Sequence, residues 1–185
     1  MNIENLNSVY FVGVGGIGMS ALARYFKAIG KTVGGYDKTR SSLTDQLANE
    51  GIFVHYDDVI AAVPVEFLKE DTLIVYTPAI PKDSLILNYF QHGNYEVLKR
   101  SQVLGVITTN TFAIAVAGTH GKTTTSSMIA HLLDASGVGC NAFLGGIASN
   151  YNSNLILNAS SRNSVVEADE YDRSFLTLLP NIAIG

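Results

Sequence analysis

Short apolar runs alternate with segments of helical spacing along the first hundred residues. Val9–Val12 is a continuous apolar run closed by Gly13, and Ile17–Ile29 then carries Met19, Leu22, Phe26 and Ile29 at helical intervals. Thr32–Tyr36 reads as a strand, Ser41–Glu50 as a helix with Leu43 and Leu47 on one face, and Ile52–His55 as a short strand. Thr72–Tyr76 is a further strand of buried type, followed by a Thr77–Pro81 loop and a helix over about Ser84–Gln91. The alternation predicts a parallel sheet covered by helices, because strands this apolar are expected where both faces are buried.

The pattern breaks at Thr108-Thr109-Asn110-Thr111, a polar β-branched patch without periodicity, and then restarts. Strand Phe112–Ala117, a glycine loop, helix Thr123–Ala135, a strand near Cys140–Leu144 and strand Ser164–Ala168 follow in order. The restart predicts two α/β domains, 1–107 and 108–185, the second with three or four strands. Asn181–Gly185 reads as the start of a buried strand, which leads us to expect that the chain is the N-terminal part of something longer.

Composition narrows the class. With 47% hydrophobic and 15% charged residues over 185 positions the chain is a folded protein, not a disordered one. Its net charge of −4 gives no electrostatic reason to bind nucleic acid, so an anionic ligand needs local donors. The single Cys140 has no disulfide partner and no companions for a zinc cluster, and is expected in the core. The N-terminus lacks a basic segment followed by an apolar core, and no apolar run reaches the roughly 18–20 residues of a spanning helix. The expectation is a cytoplasmic protein without membrane insertion.

Two glycine loops carry the candidate chemistry. Gly13-Val14-Gly15-Gly16-Ile17-Gly18 matches G-x-G-x-x-G between a strand and a helix. In that pattern Gly13 permits the tight turn, Gly15 lets a diphosphate approach the backbone, Gly18 allows close helix packing, and the helix N-terminus offers N–H groups and positive dipole. Asp37 ends the next strand, 19 residues past Gly18, where a carboxylate commonly holds a ribose hydroxyl. The Thr77-Pro78-Ala79-Ile80-Pro81 loop is expected at the same edge of the sheet. The second loop, Gly118-Thr119-His120-Gly121-Lys122-Thr123-Thr124, departs from the usual phosphate loop, because Val116 stands where that pattern has its first glycine. Its placement between an apolar strand and a helix is still that of backbone N–H groups cradling phosphates, with Lys122 reaching the β/γ-phosphates and Thr123 a Mg²⁺ ligand. Glu167, Asp169 and Glu170, at the end of the Val165–Val166 strand, offer hard oxygen ligands, and spacing alone does not choose among them. His120 reads as a polar loop contact, and His55, His92 and His131 as structural or surface residues.

Three ordered motifs together resemble the Mur ligases: Phe11–Ser20 as FVGVGGIGMS, Gly118–Thr125 as GTHGKTTT and Glu167–Phe175 as EADEYDRSF. The resemblance spans the chain, and the shortened G-T-x-G-K-T form is that family's own ATP loop. It implies a Rossmann-like parallel-sheet domain for a UDP-sugar, followed by the first part of a P-loop ATPase α/β domain. A downstream metal histidine and a third domain of the family are expected to lie beyond this sequence. It implies ATP and Mg²⁺ as cofactors and UDP-N-acetylmuramate and L-alanine as substrates of an amide-forming ligase. The lactyl carboxylate would attack the γ-phosphate of ATP to give an acyl phosphate, and the alanine amine would then displace phosphate. By motif position, Gly118, Thr119, His120, Gly121, Lys122, Thr123 and Thr124 fall on the ATP, with Lys122 catalytic. Gly13, Gly15, Gly16, Ile17, Gly18, Asp37, Thr77 and Ala79 fall on the UDP-sugar, and Thr123 and Glu167 on the metal. Tyr171 stands where the family more often has Ser. Three alternatives are a murein-tripeptide recycling ligase of the same family, a nicotinamide-dependent oxidoreductase, and a module that only binds a UDP-sugar. The oxidoreductase reading leaves Gly118–Thr125 unexplained.

Overall fold

Five parallel strands in the order β3-β2-β1-β4-β5 form the first sheet: β1 (Ser8–Val12), β2 (Thr32–Tyr36), β3 (Phe53–His55), β4 (Thr72–Tyr76) and β5 (Glu96–Lys99). They belong to a computed structural model, which describes residues 6–158, 160–168 and 174–185. Chain order reverses on either side of β1, and Val12 is level with both Tyr36 and Tyr76. The loops after these three strands therefore emerge together at one edge, the place where doubly wound sheets take ligands. Helices α1 (Ile17–Ala28), α2 (Ser42–Asn49) and α3 (Leu85–His92) connect the strands. A capping box between Ser41 and Thr44 starts α2. Ser84 and the Asp58 carboxylate, which accepts from the N–H groups of Leu85 and Ile86, start α3.

Alternation along β1 explains the core. Tyr10 and Val12 pack with Phe67, Ile74, Ile86 and Phe90 in one cluster, and Phe11 meets Phe26 of α1 at 6.3 Å between ring centres. Each such side chain contributes about 1.5–3 kcal/mol by leaving water. A polar pair sits in this core, with the Tyr10 hydroxyl 2.5 Å from His55 Nε2 and both residues buried. Burial pushes the His55 imidazole below its usual value, outweighing the Asp57 backbone and the Asp57 and Asp58 carboxylates that act the other way. A base more easily protonated in the unfolded chain makes that state gain protons first on acidification. Stability from this pair should be complete above about pH 6.5 and decline as pH falls below it. Urea unfolding midpoints taken between about pH 7.5 and 5 should show the decline, and His55→Gln should flatten it; equal slopes would remove His55 as the cause.

The chain divides into two units, Met1–Arg100 and Ser101–Gly185. Helix α4 (Arg100–Thr109) runs into the expected break, so the position between residues 107 and 108 falls inside it. Thr108 and Thr109 lack outward periodicity because their hydroxyls turn back onto the Gly105 carbonyl at 2.9 and 2.8 Å, closing the helix. The second sheet has the order β10-β6-β9-β7-β8, made of β6 (Phe112–Val116), β7 (Asn141–Ala148), β8 (Ser153–Ile156), β9 (Asn163–Glu167) and β10 (Ile182–Ile184). Five strands stand where three or four were expected. The addition is β8, an antiparallel hairpin partner of β7 too short to show a period of its own. The expected buried strand at the end of the sequence is β10, but its three residues are exposed on the edge beside β6. Helix α5 (Lys122–Ala135) packs on this sheet through Ala130 against Cys140, Ala142, Leu144, Ile156 and Val165. Burial raises the Cys140 thiol to about 11, so it stays protonated and inert, as a core residue should. No helix among the described residues is long and apolar enough to cross a membrane.

Candidate functional site

The first glycine loop is built from β1 outward. Gly13 takes a left-handed conformation (φ +92°), and the N–H groups of Gly13 and Val14 both donate to the Tyr36 carbonyl at 2.8 and 3.0 Å. A Cβ at Gly13 would stand 3.2 Å from Thr77 and 2.9 Å from Ile80, so the Thr77–Pro81 loop closes directly on it. Ala79 is exposed within that loop. Asp37 is also drawn in: Oδ2 accepts from Gly15 N at 2.7 Å and Oδ1 from Thr39 N at 3.0 Å. The carboxylate expected to wait for a ribose thus already braces the loop. The room beside Gly15 belongs to the protein, because a Cβ there would stand 2.8 Å from both Asp37 and Thr44. Gly16 differs. It has ordinary extended geometry (φ −69°, ψ 144°) and forms the start of α1 without a side-chain cap or an acidic first turn. A Cβ on it would meet nothing closer than 3.7 Å. Beside Gly18 the nearest neighbour is Arg100, whose guanidinium a Cβ there would meet. This brings a cation from the end of β5 to the first turn of α1, which sequence patterning missed because it showed neither β5 nor α4.

The second loop is built on strand register. Val116, at the end of β6, is level with Glu167 on the neighbouring parallel strand β9, and Ala168 N donates to the Val116 carbonyl at 2.8 Å. Glu167 therefore arrives beside the loop that leaves β6. That loop turns on Gly118 (φ +122°) and Gly121 (φ +80°), conformations that favour glycine, and Gly121 opens α5. Lys122 lies over the loop with Nζ donating to the Gly118 carbonyl at 2.5 Å. Thr119, His120, Gly121 and Thr124 are exposed around it. Thr123 Oγ1 donates to Glu167 Oε2 at 3.1 Å, and Gly145 N and Ser126 Oγ both donate to Oε1, at 2.7 and 3.1 Å.

Sequence reasoning named Thr123 and Glu167, and the structure places them in contact. Two further donors escaped it. Ser126 lies one helical turn beyond Thr123, a spacing that puts both on one face, and the Gly145-Gly146 pair inside a strand signals close approach of another group. Asp169, Glu170 and Tyr171 lie outside the described residues. Among the described residues no cluster of three His, Cys, Asp or Glu forms a metal site of its own. The Thr123 and Glu167 oxygens nevertheless suit part of a Mg²⁺ shell. They are hard donors 3.1 Å apart, near the separation of about 3 Å between neighbouring ligands of an octahedral ion, and phosphate and water would complete such a shell. The remaining histidines have ordinary partners: His92 Nδ1 lies 2.7 Å from the Asn88 carbonyl and His131 Nδ1 lies 2.9 Å from the Tyr151 hydroxyl.

Residues 8–111 match the Mur ligase family, catalytic domain, and residues 116–171 match the Mur ligase middle domain. Among curated relatives the chain is similar to a UDP-N-acetylmuramate–L-alanine ligase from Flavobacterium psychrophilum, with 57% identity over 99% of this chain and 41% of the relative. A ligase of the same name from Parabacteroides distasonis is 57% identical over 100% of this chain and 40% of its own length. The chain thus spans about two fifths of these relatives. Among solved structures, the UDP-N-acetylmuramate–alanine ligase of Thermotoga maritima superposes with a TM-score of 0.84 at 28% identity, over 95% of this chain and 40% of that one. A UDP-N-acetylmuramate:L-alanyl-γ-D-glutamyl-meso-diaminopimelate ligase from Neisseria meningitides gives 0.84 at 27% identity, over 96% of this chain and 59% of that one.

Proposed function

The chain belongs to the Mur ligase family, and from that premise we propose that it forms the UDP-sugar site and the phosphate loop of an enzyme joining L-alanine to UDP-N-acetylmuramate at the expense of ATP. The observation that carries this reading is the convergence of Lys122, Thr123 and Glu167 on one glycine-rich turn at a strand–helix junction. The domain limits we propose are 1–107 for the UDP-sugar and 108–185 for the ATP, in a cytoplasmic protein.

The chemistry follows from the weakness of a carboxylate as an acylating group. Its oxygen attacks the γ-phosphorus of ATP, ADP leaves, and the acyl phosphate formed carries a good leaving group. The alanine amine then adds to the carbonyl carbon, phosphate departs, and the amine proton is lost to solvent. The Lys122 ammonium and the backbone N–H groups of Gly118–Thr124 would hold the transferring phosphoryl group and its developing charge in place. Thr123 and Glu167 would hold Mg²⁺, which supplies further neutralisation of phosphate charge when bound. At the first loop, the N-terminus of α1 and the approach left open at Gly16 would receive the diphosphate.

Phosphate release by the full-length enzyme tests the reading, with UDP-N-acetylmuramate, ATP, Mg²⁺ and either L-alanine or the murein tripeptide. Turnover only with the tripeptide would transfer the protein to the recycling branch. NADH binding in place of UDP-N-acetylmuramate would restore the oxidoreductase, and UDP-sugar binding without ATP turnover would leave a binding module. Gly16→Ala separates ligand from fold at the first loop. Its Cβ meets no protein atom closer than 3.7 Å, so the melting temperature should hold while the methyl group obstructs the diphosphate. Calorimetry should show UDP-N-acetylmuramate weakened by about tenfold or more, or ~1.4 kcal/mol. Gly15→Ala should instead also lower the melting temperature, since its Cβ displaces Asp37 and Thr44. Full affinity in folded Gly16→Ala would remove the diphosphate from this loop.

A further inference from the structure

We infer that Ser126 and the Gly145 backbone form a clamp that decides which oxygen of Glu167 faces the cation, making both positioning elements for the metal. This rests on the phosphate-loop reading above. A glutamate's last torsion joins a tetrahedral to a trigonal carbon and is broadly permissive, so a carboxylate at a strand end does not orient itself. Here two elements orient it. Ser126, fully buried on α5, directs Oγ to Oε1 at 3.1 Å, and Gly145 on β7 directs its N–H to the same oxygen at 2.7 Å.

The Ser126 hydroxyl has one proton and three acceptors in reach, the others being the Lys122 and Thr123 carbonyls at 2.9 and 3.1 Å. An ionised carboxylate is the strongest of the three acceptors, so the proton goes to Glu167 while its charge is present. Oε1 is then committed to the protein. Oε2 is left on the side of Thr123 Oγ1, the other oxygen suited to the ion. Gly145 adds a steric limit, because a Cβ there would stand 2.6 Å from Oε2. Glycine at this position therefore keeps the metal-facing oxygen accessible as well as supplying the N–H.

The test is Mn²⁺ binding to the full-length protein in the presence of ADP, followed by electron paramagnetic resonance, beside the melting temperature and the affinity for UDP-N-acetylmuramate. Ser126→Ala should raise the Mn²⁺ dissociation constant about tenfold, the range expected when a partner that orients a ligand is lost. UDP-N-acetylmuramate affinity should hold, and the Mg²⁺ concentration for half-maximal ligation should rise in parallel. Gly145→Ala, acting on the same carboxylate from β7, should shift Mn²⁺ affinity in the same direction, and it carries the test if Ser126→Ala does not fold. Unchanged Mn²⁺ affinity in a folded variant would overturn the clamp and leave Ser126 as a hydroxyl satisfied by helix carbonyls. Glu167→Gln separates the two levels. If it too leaves Mn²⁺ binding unchanged, the metal site itself is wrong and the clamp falls with it.

Discussion

Lys122→Ala in the full-length enzyme should lower the L-alanine-dependent ligation rate by at least about 10²–10³-fold, the effect of removing one preorganised charge-stabilising group, or ~2.7–4 kcal/mol. The same change should leave the fold intact or slightly firmer. Lys122 is the first residue of α5, and a cation at the positive end of a helix is disfavoured by about 0.3–1 kcal/mol. Alanine removes that repulsion, and the bond to the Gly118 carbonyl that it forfeits closes only a local loop. A lysine kept where it opposes its own helix points to a role outside stability. UDP-N-acetylmuramate binding, which we assign to the first domain, should be unaffected. The measurement is a pair: single-turnover phosphate release and thermal unfolding. A variant that keeps its rate would refute the assignment of the loop, and one that loses rate and melting temperature together would reduce Lys122 to a structural contact.

Much of this architecture could be read from the residues, for reasons that also explain the failures. Val9–Val12 and Leu73–Tyr76 lie in central strands covered on both faces, so burial writes them as uninterrupted apolar runs, while the central strand Thr32–Tyr36 carries its burial on Val33, Tyr36 and two glycines. Strand β5, by contrast, has the burial pattern of an edge: Glu96 and Lys99 are exposed and Val97 and Leu98 half-covered, which leaves no clear run to find. Helix α4 hides for a different reason. Its glycine and its five β-branched residues argue locally against a helix, and the packing of Val103, Leu104 and Ile107 overrides them.

The site was legible where a backbone conformation demands a residue type and obscure where contacts come from afar. Gly118 and Gly121 announce themselves because positive φ favours glycine. Asp37 was found by its position at a strand end, although its carboxylate braces Gly15 rather than standing open. Arg100 reaches Gly18 from 82 positions away in the chain, and Gly145 reaches Glu167 from another strand. Neither contact follows from local spacing, since both depend on strand order and register.

Glu167→Gln is the sharpest probe of that register, and it should abolish most Mg²⁺-dependent ligation while preserving the fold. The amide keeps the volume of the acid. Its oxygen can still accept from Gly145 N and Ser126 Oγ, and its NH₂ can donate to Thr123 Oγ1 in place of the bond that oxygen now donates. No buried polar atom is orphaned, so the melting temperature should stay close to that of the parent. The change falls on charge. On the proposed reading, a hard divalent ion would lose an anionic ligand and meet an amide hydrogen in place of an oxygen. The rate at physiological Mg²⁺ should fall by about 10²-fold or more, the scale of losing one charge-stabilising contact in the transition state. Excess Mg²⁺ should recover part of the loss if the defect is in metal affinity. UDP-N-acetylmuramate binding should again be untouched. Ligation rates measured across a Mg²⁺ series, with calorimetry on the UDP-sugar, separate these effects. A folded Glu167→Gln enzyme with the parent's Mg²⁺ dependence would show that the metal is held elsewhere, and that the contact between β9 and α5 serves packing alone.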